Sequence, residues 1–128
     1  MFLFEKGIMG GHRKVDVLRK IKGKIVYLGD SIVDADAIRF ADYGFAVNCT
    51  SRHCLLDAKL NLALSDFSDL IPLLEDILDG KFVITDAKKY ETKNMKVFLP
   101  NEIKQNFEYV KSVNNMFKQQ LKELYKQV

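Results

Sequence analysis

The chain has 128 residues, 48% apolar and 29% charged, with a net charge of +3. That is enough for one compact unit with a core, and the charge is too small to argue for a nucleic-acid partner. No apolar run approaches the roughly 20 residues of a membrane span, MFLFEKGIMGG has no basic region of the kind that opens a secretory signal, and two cysteines are too few for a disulfide framework, so a reduced, cytoplasmic setting is expected.

KIVYLG, residues 24–29, is β-branched and aromatic and closes on Gly29, which predicts a buried strand. Three aspartates follow it, Asp30, Asp34 and Asp36. Asp34 is suited to cap a short helix running to about Tyr43, with Ala37, Ile38 and Ala41 on one face and Gly44 as the stop. FAVNC, 45–49, predicts a second strand, HCLLDAK, 53–59, a short helix, and LNLALS, 60–65, a third strand. Ser65, Asp66, Ser68 and Asp69 are all caps for the helix that holds LIPLLEDIL. Pro72 must lie in its first turn, which favours a start near Ser68 or Asp69, and Gly80 ends it. KFVITDA, 81–87, and MKVFLP, 95–100, are strand candidates that could pair.

The segment 101–128 differs in character from 1–100 and is expected as a separate helical unit. It has no Gly or Pro, and Ile103, Phe107, Val110, Asn114, Phe117, Leu121, Leu124 and Val128 alternate at spacings of 4 and 3. That is a heptad stripe with a polar residue, Asn114, at one core position, a pattern that fixes register or oligomer state. One flank carries Lys104, Lys111 and Lys118 with no matching acids on the other. Two uses are open: a long helix packed on its own domain, or an oligomer contact.

Alternating strands and helices over 24–79 predict an α/β domain with a mostly parallel sheet. Ligands of such sheets sit outside the carboxyl ends of the strands, where Gly29, Asp30 and Ser31 fall. Asp30 and Asp34, four residues apart across a strand-to-helix turn, are placed to approach one hard cation such as Mg²⁺, and Gly29 lets the backbone come close. The competing reading is a turn held by Asp30 and a helix capped by Asp34. Cys49, His53 and Cys54 match no common zinc spacing and read as buried thiols with a surface histidine.

GDSIVDADAIRFADYGFAVNCTSRHCLLDAKLNLALSDFSDLIPLLEDIL, with Lys14 sixteen residues before Asp30, resembles the C-terminal half of haloacid-dehalogenase-like (HAD) phosphatases. The resemblance covers residues 10–79 and implies a Rossmann-like sheet. It implies Asp30 as a Mg²⁺ ligand, Asp34 as the second acidic residue, directly or through water, Gly29 and Ser31 as supporting residues, and Lys14 as the cation that offsets phosphoryl charge. An ordinary lysine in a basic stretch is the alternative for Lys14.

The family's nucleophile, an Asp in a DxDx[TV] pattern before the Lys, has no counterpart in MFLFEKGIMGGHR. DADA at 34–37 is better explained as the acidic motif and helix start. Asp86 follows an apolar run, but Lys88 stands where the second Asp belongs. Ser31 in GDS also resembles the nucleophile of Gly-Asp-Ser-Leu esterases, yet neither His12 nor His53 fits as its base. The expectation is therefore the Mg²⁺/phosphate half of a HAD-like phosphohydrolase, with weak Mg²⁺ affinity in the isolated chain. The strand KIVYLG would be an exposed sheet edge. The partner is a chain carrying the nucleophile half, or a second copy held through 101–128. The alternative is a non-catalytic binding or scaffold module that self-associates.

Overall fold

The computed structural model describes Asp16, residues 18–20 and residues 23–126. Lys14 lies outside the described residues. The fold is α/β, with a four-stranded sheet in the order β1 (Val26–Gly29), β2 (Tyr43–Val47), β3 (Leu60–Leu64), β4 (Met95–Phe98). β1, β2 and β3 run parallel, and β4 pairs antiparallel with β3, Leu62 opposite Val97. A 3-10 turn, Ile32–Asp34, leads into α1 (Ala35–Phe40), and α2 (Arg52–Asp57) joins β2 to β3. A second 3-10 turn, Phe67–Leu70, leads into α3 (Ile71–Leu78), which carries Pro72 in its first turn as its missing N–H requires. No helix among the described residues is long and apolar enough to cross a membrane.

Side chains alternate across the sheet with period two. Phe45, Val47, Leu60, Leu62, Leu64, Met95 and Val97 fill one face with Leu73 of α3. Tyr27, Ala46, Ala63 and Phe98 take the other, under Ala37 and Ile38 of α1, Leu55 of α2 and the C-terminal helices. The small residues are on the face with more helices, so the helices come close. Gly44 shows how close: a Cβ there would lie 1.8 Å from the carbonyl oxygen of Ile38. The sequence reading of Gly44 as a helix stop is thus corrected. α1 ends at Phe40, and Gly44 belongs to β2 because no side chain fits between strand and helix.

A second correction concerns KFVITDA. It forms no strand; residues Ile84–Tyr90 wind into a 3-10 helix, and β4 pairs with β3 instead. Ala87 and Tyr90 bury on the sheet while Thr85, Asp86, Lys88 and Lys89 face water, a spacing of three that suits a 3-10 helix. Lys88 donates to the Val97 carbonyl at 2.8 Å and meets Glu102 at 3.0 Å, tying this segment to β4 and to the helix beyond.

The C-terminal segment breaks once, at Asn106, into α4 (Pro100–Gln105) and α5 (Phe107–Lys126). The first part of its stripe packs on the chain's own core: Ile103, Val110, Asn114 and Phe117 are buried, as is Val113 beside them. Towards its end the helix runs free of the core, and Leu124 and Tyr125 are exposed, with Tyr125 against Phe67 at 5.5 Å between ring centroids.

Candidate functional site

The sheet's carboxyl edge gathers the turn after β1 and the loop after β2. Asp34 is the hub of the first. It is 4% exposed, and a buried carboxylate must be compensated. Its Oδ1 accepts from the Tyr27 hydroxyl at 2.7 Å. Its Oδ2 accepts from the Asp30 N–H at 3.1 Å, the Ser31 N–H at 3.3 Å and the Ser31 hydroxyl at 3.3 Å. Gly29 makes room: a Cβ there would stand 2.5 Å from the Asp34 Cβ, so any side chain would push the carboxylate away from the turn it holds.

Asp30 is different. It is exposed, directly beyond the last residue of β1. Ile32 and Val33 beside it are 56% and 50% exposed, so the rim of the turn is apolar. Asp36 is exposed and pairs with Arg39 on α1, ordinary first-turn helix chemistry.

The loop after β2 is fixed by asparagines. Asn48 is 3% exposed and adopts a left-handed φ of 52°, which Asn tolerates better than most residues. Its side chain donates to the Leu64 carbonyl at 2.8 Å and accepts from the Leu64 N–H at 2.7 Å. Asn114 of α5 donates to the Cys49 carbonyl at 2.7 Å and exchanges two bonds with Asn61 of β3, at 2.9 and 3.1 Å. Cys49 and Cys54 are both free and fully buried. The Cys54 thiol and the Ser51 N–H stabilise the Cys49 thiolate and lower its pKa against the cost of burial. The same contact with Cys49, then burial, raises that of Cys54. Cys54 also lies 4.0 Å from the Gly29 carbonyl, so the thiols sit beneath the turn that presents Asp30.

Sequence reasoning named Gly29, Asp30, Ser31 and Asp34, and they lie in one turn. His53 is exposed, and no group of three or more His, Cys, Asp or Glu side chains among the described residues is arranged to hold a metal. Asp86 is exposed in the 3-10 helix, not at a strand end. The Ser31 hydroxyl donates to Asp34, not to a histidine. Tyr27, Asn48 and Asn61 belong to the same edge and carry no motif of their own. Their signal was a hydrogen-bonding side chain inside an apolar strand run.

The donors suit Mg²⁺ in part. That ion keeps several waters and takes one or two carboxylates. Asp30 offers an open carboxylate, while both Asp34 oxygens already accept protein hydrogens. The arrangement fits an ion anchored by Asp30 and completed by other oxygens, with Asp34 holding the turn.

No family model matches the chain, and no solved structure matches it. It is 28% identical over 86 residues, 65% of its length, to the bifunctional enzyme MtnB/MtnX of Bacillus licheniformis. It spans only 20% of that protein's length. The match is a distant one.

Proposed function

We propose that this chain supplies the Mg²⁺- and phosphate-binding half of a HAD-like phosphohydrolase. A nucleophile-bearing half completes it, whether as a preceding segment of a longer polypeptide or as a separate chain. The observation that carries the reading is the contrast between Asp30 and Asp34: one carboxylate is exposed at the carboxyl end of β1, and the other is spent on fixing the turn that presents it. β1 has a strand neighbour on one side only among the described residues. A strand added along its other side would end next to Asp30, where a nucleophilic carboxylate is needed.

In this reading Asp30 anchors the ion, which when bound neutralises charge on the phosphoryl oxygens. Asp34 keeps Asp30 aimed outward, and Lys14 offsets the remaining phosphoryl charge. The exposed Ile32 and Val33 lie where the organic part of a phosphate ester would pass. Self-association through 101–128 as a scaffold is the weaker reading, because Ile103, Val110, Asn114 and Phe117 of the stripe it needs are already buried within the chain.

The test is reconstitution. The chain, mixed with or fused behind a half that ends a strand in DxDx[TV], is expected to hydrolyse an aryl phosphate only with Mg²⁺ present, and Asp30→Asn is expected to abolish this. Equal activity with Asp30→Asn overturns the reading.

A further inference from the structure

Asp34 organises the turn, but a carboxylate held from one side can rotate about its Cβ–Cγ bond. The second constraint comes from β1 itself. Tyr27, 1% exposed, places its hydroxyl 2.7 Å from Asp34 Oδ1, which leaves Oδ2 facing the Asp30 and Ser31 amides. The ring is packed in the same core as Ala37 and Ile38 of α1, so the hydroxyl is carried on a rigid base. A buried phenol requires a partner, and hydrogen bonds to an ionised carboxylate are among the stronger ones. The two residues are seven apart in sequence, one on the strand and one at the end of the turn that leaves it, so the bond closes the loop around Gly29 and Asp30.

We infer that Tyr27 is a positioning residue of the Asp30 site, acting through Asp34. It rests on the proposed function only for what Asp30 binds. Tyr27 fixes the rotation of the Asp34 carboxylate. Asp34 then fixes the direction in which the backbone leaves β1, and that sets where the Asp30 carboxylate stands. A phenylalanine would keep the packing and lose the direction.

The experiment uses the full chain and Tyr27→Phe, followed by amide NMR and a Mg²⁺ titration read at the Asp30 amide. The Asp30 and Ser31 amide protons are expected to shift and to exchange about tenfold faster, with the β3 amides unchanged. Mg²⁺ binding is expected to weaken by about 3- to 10-fold, and Tyr27→Phe/Asp34→Asn to be no weaker than Asp34→Asn alone. A merely structural tyrosine would lower the melting temperature without this split. Should the variant not fold, fluorotyrosine incorporation makes the phenol a stronger donor and must move the same two amides in the opposite direction. Unchanged amides, or additive losses in the double variant, overturn the inference. If the parent binds Mg²⁺ and Tyr27→Phe binds it equally, the inference fails and the proposed function stands. If the parent gives no Mg²⁺ response while the two amides still move in Tyr27→Phe, the proposed function fails and the positioning role stands.

Discussion

The side-chain amide of Asn114 reaches the carbonyl of Cys49, 65 positions earlier, at 2.7 Å. With the reciprocal pair to Asn61 it uses both ends of a fully buried amide. Heptad patterning alone made Asn114 a candidate for setting an oligomer; within the chain it sets the register of α5 on β3. Asn114→Ala should leave the Cys49 carbonyl and Asn61 unsatisfied and cost about 2–3 kcal/mol, measured by urea unfolding. The mass in solution by light scattering should be the same as the parent's, and Asn61→Ala should add little on top.

The two aspartates should separate cleanly in stability. Asp34→Ala removes the buried acceptor of the Tyr27, Asp30 and Ser31 hydrogen bonds and should cost about 3 kcal/mol. Asp30→Ala alters an exposed side chain and should stay within about 0.5 kcal/mol. Equal urea midpoints for the two would contradict the division of labour between them.

Steric limits give a third expectation. Gly44→Ala places a methyl 1.8 Å from a backbone oxygen that cannot yield without moving α1. A loss above about 3 kcal/mol, or no soluble folded chain, is expected. Gly80 has open space around it but a φ of 72°, so Gly80→Ala should cost only about 1 kcal/mol.

Tyr90 links stability to alkaline pH. Burial first, then its hydrogen bond to Asp76, pushes its pKa from 10.0 up to about 12. The folded state therefore holds this proton where the unfolded chain releases it. The stabilisation is complete below pH 10 and is lost as the pH rises from about 10 to about 12. Tyr90→Phe should flatten that part of the stability curve and should reduce the late-titrating absorbance near 295 nm by one tyrosine's share.

The thiols make an accessibility test. The Cys49 pKa is lowered, yet both sulfurs are fully buried. Native chain should resist alkylation, and both residues should label together once it unfolds. Rapid labelling of Cys49 alone in the native state would mean that the loop after β2 opens readily.

Much of this arrangement could be read from residue order. KIVYLG and LNLAL are apolar enough to be strands, and Gly-Asp-Ser at the end of the first located the turn. What failed were decisions settled by distant partners. Gly44 reads as a helix stop by its neighbours, but the carbonyl of Ile38 determines its place. KFVIT has strand composition, yet β3 takes β4 on that side, and the segment coils so that Ala87 and Tyr90 reach the sheet. At the site, the sequence named both aspartates but could not divide their roles. Which carboxylate is spent depends on Tyr27 and on two amides folding back onto Asp34.

The strand order follows the chain order, so the sheet can grow one neighbour at a time as the polypeptide leaves the ribosome. The clasp on Cys49 cannot. Its carbonyl is synthesised 65 residues before its partner, Asn114. A nascent chain that has completed all four strands holds this loop through Asn48 on Leu64 but still lacks the clasp on the Cys49 carbonyl. α5 thus fastens a crest built long before it, and the loop after β2 takes its final form only once Asn114 has emerged.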